Sequence, residues 1–266
     1  MTLQHSETRE KIAEIKEQFS VPELSDDAKV IKGAIEVVTN NETFEVSKVI
    51  RDRIKEADVD FRCNNDISNF IQEGEVDLLI DEVAEKFQAV LEALVIDTEN
   101  DWNTSDTAHR VAKMYVTETM AGRFMPAPKV TAFPNDGYEG LYTAGPISIR
   151  SLCAHHFQNI IGKAWIGIVP GEKVIGLSKF NRIVNDVCSR PQIQEEMTKQ
   201  ITDAIVEATE TKDVAVIVKA EHHCMISRGV REHESEMITT DLRGSFFTND
   251  AQRAEFYSLI QNLNSF

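Results

Sequence analysis

Basic residues are in short supply in this chain: 28 Lys and Arg stand against 44 Asp and Glu, a formal charge of −16. Surfaces that hold nucleic-acid polymers or anionic membranes need an excess of Lys and Arg, so both partner classes are set aside. Cysteine is scarce as well. Cys63, Cys153, Cys188 and Cys224 are too few and too scattered for a disulfide framework in 266 residues. No apolar run approaches the roughly 18 residues of a membrane span. Met1–Ser20 alternates charges where a secretory signal would carry an apolar centre. Together these absences give the expectation of a soluble protein in a reducing, cytoplasmic setting.

What is present suffices for a packed core. Hydrophobic residues make up 42% of the chain, which excludes wholesale disorder, and the length fits one large domain or two modest ones. The acidity is concentrated. Residues 1–100 carry a net charge of −13 and residues 101–266 only −3. Any bound anion is therefore expected in the near-neutral remainder.

Residues 1–20 read as a short charged helix ended by Val21-Pro22, and 26–70 as short amphipathic pieces broken at Asn40-Asn41 and Asn64-Asn65. After Gly74, Val76, Leu79, Ile80, Val83, Phe87, Val90, Leu91 and Leu94 recur at helical spacing. A second helix is expected over about Thr107–Ala121, making a helical hairpin over 74–122. Strand-like runs follow at Ile147–Leu152, Ile160–Val169, Val214–Ala220 and about Ser235–Phe247. Helices are expected near 178–189 and 194–210, and from Asp250 onward. This order predicts an α+β fold: an antiparallel sheet with helices on one face.

Four of the seven histidines and two of the four cysteines fall in two short clusters, Cys153-Ala154-His155-His156 and His222-His223-Cys224. Each lies at the end of an expected strand. Thiolate and imidazole are ligands that Zn²⁺ prefers, and a Cys-x-x-His pair plus one more cysteine makes a three-ligand set with an open position. Bound zinc lowers the pKa of its water toward about 7. Spacing alone leaves two readings open, a metal site or buried cysteines serving as small hydrophobes. A second group surrounds Gly176-Leu177-Ser178-Lys179, where Ser178 fits an N-cap and Lys179 and Arg182 share a helix face. Arg228 follows the second cluster by four residues, and Gln194-Glu195 opens a helix.

These motifs, with Val174-Ile175, Arg190-Pro191-Gln192-Ile193-Gln194-Glu195, Met225, Arg228-Gly229-Val230, and Thr107 with Arg110-Val111-Ala112-Lys113-Met114, stand in the order and spacing of GTP cyclohydrolase I. The chain resembles that family from about Glu75 to its C-terminus. The resemblance implies the tunnelling fold over 123–266, in a catalytic domain of residues 74–266, and leaves 1–73 as an acidic helical extension. It also implies a homodecamer with active sites between subunits, and conversion of GTP to 7,8-dihydroneopterin triphosphate and formate. By position, Cys153, His156 and Cys224 would bind Zn²⁺, with His155 and His222 as catalytic acid/base groups. Gln194 and Glu195 would hold the guanine edge and Ser178 the ribose. Arg110, Lys179, Arg182 and Arg228 would clamp the triphosphate.

The sequence departs from the family pattern in three places. Ala154 stands where Glu is usual, which leaves the choice between GTP and dGTP open. Ala108 replaces a usual Pro, and Glu196 occupies a position that is often basic. A related tunnelling-fold family, the nitrile reductases of queuosine synthesis, lacks the paired metal clusters. A catalytically impaired subunit that binds purine or pterin is the alternative reading.

Overall fold

The computed structural model describes residues 45–263; the helix expected over 1–20 lies outside them. Among the described residues no helix is long and apolar enough to cross a membrane. The chain divides into two compact units.

The first unit, within the described residues, comprises 45–60 and 67–118. It contains α1 (Val46–Glu56), a 3-10 turn (Ser68–Phe70), α2 (Glu75–Ala93) and α3 (Thr107–Lys113), which runs on as a π-helical segment over Met114–Thr119. Val46, Ile50 and Ile54 recur every four residues and are all buried. Two acidic residues of α2 are buried because α1 satisfies them. Arg53 forks onto Glu75 through two hydrogen bonds of 2.6 Å, and Glu82 accepts from the Ser47 backbone N–H at 2.9 Å and from its hydroxyl at 2.6 Å. The rings of Phe87 and Tyr115 stack at 5.6 Å. Val90 and Leu94, expected on the packed face of α2, are exposed.

The second unit, within the described residues, comprises 61–66 and 119–263. A short helix, α4 (Ala121–Phe124), precedes a two-stranded antiparallel pair of β1 (Ala132–Pro134) and β4 (Lys173–Ile175). The main sheet has the order β5-β2-β3-β6-β7, with β2 (Tyr142–Cys153), β3 (Asn159–Ile168), β5 (Pro191–Gln192), β6 (Val214–His222) and β7 (Glu236–Leu242). All its pairings are antiparallel except the two-residue β2–β5 ladder. The fold is therefore mixed α+β, as expected.

One face of the sheet packs on α5 (Leu177–Cys188) and α6 (Gln194–Thr209). Ile149, Ile160, Ala164, Ile166, Val214, Val216 and Val218 meet Phe180, Val184, Met197, Ile201 and Ile205 there. The expectation of helices on one face needs correction. The opposite face is also covered in part, because Phe246 of α8 (Ser245–Thr248) and Phe256 and Ile260 of α9 (Asp250–Leu263) pack on Trp165, Ala215 and Ile217. This two-sided burial explains why Ala164–Ile168 and Val214–Val218 are continuous apolar runs rather than alternating ones. The last strand ends at Leu242, short of the expected Phe247, because Gly244 takes a positive φ of 57° and the chain turns into α8.

Gly162 sits where β3 and β6 come closest. A Cβ added there would lie 2.1 Å from the Lys219 carbonyl oxygen and 2.6 Å from Ala220 Cα. Both obstacles lie in the central strand pair and neither can swing away. We expect Gly162→Ala to cost about 2–3 kcal/mol, a fall of roughly 5–10 °C in thermal midpoint for a unit of this size. A midpoint within a degree of wild type in differential scanning fluorimetry would contradict the close approach.

Candidate metal centre and its surroundings

The sheet register brings the two Cys/His clusters together. Leu152 of β2 pairs with Asn159 of β3, and Ile160 of β3 pairs with His222 of β6. The start of β3 thus lies between the ends of β2 and β6, so residues just beyond those ends converge. Cys153 closes β2 and opens a tight connection in which its carbonyl accepts from the Phe157 N–H at 2.9 Å and its N–H donates to the Gln158 carbonyl at 2.7 Å. Phe157 makes the reversal at a φ of 51°. Cys224 lies in α7 (His223–Ile226), directly after β6.

One donor atom from each of Cys153, His156 and Cys224 lies within 4.8 Å of the others. Cys153 is buried, Cys224 half-buried and His156 exposed. Burial first, and then the hydrogen bond and charge of the Cys153 sulfur, push the Cys224 thiol above its ordinary value. Two sulfurs held this close oppose each other's ionisation, and a soft dication between them removes that opposition. The donor set therefore fits a metal ion. His155 sits beside it, with Nδ1 3.6 Å from the Cys153 sulfur and its ring exposed.

Gln194 opens α6 and is fully buried beneath the end of β6. Its Nε2 donates to the carbonyls of Met237 at 2.9 Å and Val218 at 3.2 Å, and contacts Thr239 Oγ1 at 3.2 Å. Those two carbonyls fix which end of the amide is nitrogen, so Oε1 faces His222 Nε2 at 2.7 Å. An amide oxygen only accepts. His222 therefore carries its proton on Nε2 when neutral, and its Nδ1 is the acceptor. Burial lowers the pKa of His222, while the Glu195 carboxylate opposes that shift. Glu195, next in sequence, is exposed.

Gln194 was expected at the guanine edge; its side chain is instead spent on the protein itself. Ser178 was expected as an N-cap, but Gly176 occupies that position, with φ −65° and ψ 146°, and Ser178 lies inside the first turn, exposed. Lys179 and Arg182 share α5; Lys179 donates to the Lys129 carbonyl at 3.1 Å, and Arg182 is exposed. Arg182 also lines an open cleft of about 620 Å³ with Arg150, Asn185 and Asp186, a cleft that none of Cys153, His156 and Cys224 borders. Arg228 follows α7, exposed, and its charge acts on Cys224. Arg110 belongs to the first unit, where its Nε donates to Asp106 at 2.9 Å.

Cys188 is buried against the sulfur of Met197 at 3.6 Å, and burial raises its pKa well above the ordinary thiol value, as befits an inert core residue. Gln192 and Asn64 have tasks that their local sequence does not reveal. Gln192 is fully buried, and its carbonyl accepts from the Ala154 N–H at 2.9 Å, which ties β5 to the Cys153 connection. Only its place inside the quoted Arg-Pro-Gln motif hinted at a role; Asn64 looked like a loop residue.

An α+β sheet with a Cys-His-Cys donor set at its strand ends that could hold a metal ion, flanked by the exposed His155, by His222 and by the exposed Glu195 carboxylate, is an arrangement equipped for acid/base chemistry. Comparison with known proteins makes this specific. The model of the family described as GTP cyclohydrolase I matches residues 83–261. The GTP cyclohydrolase 1 proteins of Shewanella amazonensis and Shewanella oneidensis are each 42% identical to the chain over 178 residues, which is 66% of this chain and 82% of theirs. The chain belongs to the GTP cyclohydrolase I family.

Proposed function

We propose that this chain is a zinc-dependent GTP cyclohydrolase, converting GTP and water to 7,8-dihydroneopterin triphosphate and formate. The observation that carries the reading is the meeting of Cys153, His156 and Cys224 donor atoms within 4.8 Å, in a chain that is 42% identical to proteins named for this activity. Cys153, His156 and Cys224 would hold the zinc ion, which would supply Lewis acidity and lower the pKa of water at the site.

The chain's own groups do the rest. His155, exposed beside Cys153, protonates the imidazole of guanine as its ring opens. His222 holds a proton on Nε2 against Gln194 and uses Nδ1 to take up and return a proton during ribose opening and ring reclosure. The Glu195 carboxylate accepts the ring N–H and the exocyclic amine of guanine, a donor pair that adenine lacks. Ser178 serves the ribose. Lys179, Arg182, Arg228 and Arg110 meet the triphosphate oxygens with charge-assisted hydrogen bonds.

We assign residues 74–266 to the catalytic domain, with a helical hairpin over 74–122 and a tunnelling-fold core over 123–266, and residues 1–73 to an extension. Homodecameric assembly with sites between subunits is supported by the sheet's edges: β7 lies at one edge, and β5 covers only Leu152 and Cys153 of β2 at the other. Such edges accept further strands.

Purified protein is expected to carry about one zinc per chain, the stoichiometry of a single three-ligand site. It should release formate from GTP in step with a pterin that fluoresces after oxidation. dGTP, run alongside, reads whether Ala154 has altered ribose discrimination. Metal-loaded, oligomeric protein that leaves GTP unchanged would refute the proposal.

A further inference from the structure

The segment 61–66 lies outside the residues matched by the family model, yet it packs within the second unit. Its backbone is gripped by one side chain. The Arg123 guanidinium donates to the carbonyls of Arg62 at 2.6 Å, Asn65 at 3.0 Å, Cys63 at 3.3 Å and Phe61 at 3.4 Å. Arg123 stands on α4, and α4 is itself tied down: Arg190 Nε donates to the Gly122 carbonyl at 2.7 Å. A Cβ on Gly122 would lie 2.0 Å from the Asp186 carbonyl oxygen, so α4 and α5 are in direct backbone contact.

From this anchored segment Asn64 points inward and is buried. Its Nδ2 donates to Glu196 Oε2 at 2.6 Å and to Gln192 Oε1 at 3.3 Å. Gln192 passes the connection on, since its Nε2 donates to the Val187 carbonyl at 2.8 Å and to Gln200 Oε1 at 2.9 Å. The first turn of α6 is thus held from two directions. Gln194 is bonded to β6, β7 and His222, and Glu196 is bonded to Asn64. Glu195 lies between these two tethered neighbours, exposed.

We infer that residues 61–66 form a strap that fixes the first turn of α6, with Asn64 a positioning residue that aims the Glu195 carboxylate at the purine. This rests on the assignment of Glu195 to guanine recognition made above. It also accounts for the acidic Glu196: the Asn64 amide presents a donor, and a carboxylate accepts it, whereas a basic side chain would set donor against donor. A buried amide with a charged acceptor makes a strong, directional bond, so the strap restricts the turn rather than merely covering it.

The test uses the full-length, metal-loaded protein. Asn64→Ala is expected to raise KM for GTP about tenfold with kcat within twofold, the pattern of lost ground-state and transition-state binding alike. Glu196→Gln keeps an acceptor oxygen and should stay within twofold of wild type in both constants, whereas Glu196→Lys should reproduce the Asn64→Ala phenotype. Hydrogen exchange over residues 193–198 should quicken in Asn64→Ala and Glu196→Lys and remain unchanged in Glu196→Gln. A lowered thermal midpoint in Asn64→Ala with unchanged KM and unchanged exchange over 193–198 would overturn the strap. Wild-type protein that fails to turn over GTP would refute the reading of the site instead, and the exchange readout would still decide whether the strap holds the turn.

Discussion

Cys224→Ala is expected to leave a folded chain that retains little zinc and turns over GTP at least about a thousandfold more slowly, since two protein ligands do not hold an ion that needs three. Cys224 lies just past β6, half-buried at the margin of the main core, where truncation to alanine removes a single sulfur's contacts. The substitution removes a thiol whose pKa is raised by burial first and by the neighbouring Cys153 sulfur second. Thermal stability without metal should therefore change little, while the stabilisation conferred by added zinc should disappear. Metal analysis, turnover and thermal midpoints with and without zinc, measured on one preparation, check all three parts. Substantial turnover in Cys224→Ala would remove the metal centre from the proposed chemistry.

Gln194→Met is expected to lower kcat about a hundredfold while KM rises no more than severalfold, the signature of a lost proton-transfer geometry. Methionine nearly matches glutamine in shape, so the buried space stays filled. It cannot accept from His222 Nε2, however, and the imidazole is then free to rotate and to exchange tautomers. It also leaves the carbonyls of Val218 and Met237 without the Gln194 amide, and a cost of about 1–3 kcal/mol in stability should accompany the kinetic loss. If Gln194 instead held the guanine edge through its side chain, KM would rise steeply and kcat would be preserved. Steady-state kinetics separates the two outcomes, and ¹⁵N chemical shifts of the His222 ring report the tautomer directly.

The two variants act on different parts of one constellation, and the sequence exposed those parts unequally. The cysteines and histidines were legible because ligand chemistry is carried by residue type. Cys153, His156 and Cys224 stand out in any chain with so few cysteines, and strand-ending positions for both clusters followed from the β-branched runs beside them. The helices over 177–188 and 194–209 were legible from periodicity to within a residue or two. The tasks of Gln194 and Asn64 were not. Glutamine near a helix start has the same local pattern whether it faces a ligand or a strand. Its partners here are 24 to 45 residues away in sequence, and those of Asn64 lie 128 and 132 residues away.

The covering of the sheet shows the same division. Alternation and continuous runs marked which segments are strands, but the packing of α9 on the face opposite α5 and α6 depends on where the chain goes after Gly244. Ser178 shows how a two-residue shift of a helix start changes a residue's task, from capping group to exposed first-turn hydroxyl.

By itself the sequence determined the α+β class, the donor types of the candidate metal centre and the concentration of acidity in the first hundred residues, because these depend on composition and on spacing within single elements. Only the tertiary structure decided that Cys224 meets Cys153 and His156, that His222 carries its proton on Nε2, and that Glu196 has an amide to receive. Each of those depends on strand register and on hydrogen bonds between distant segments. Register is set by how whole faces pack together, and no local window of sequence contains that information.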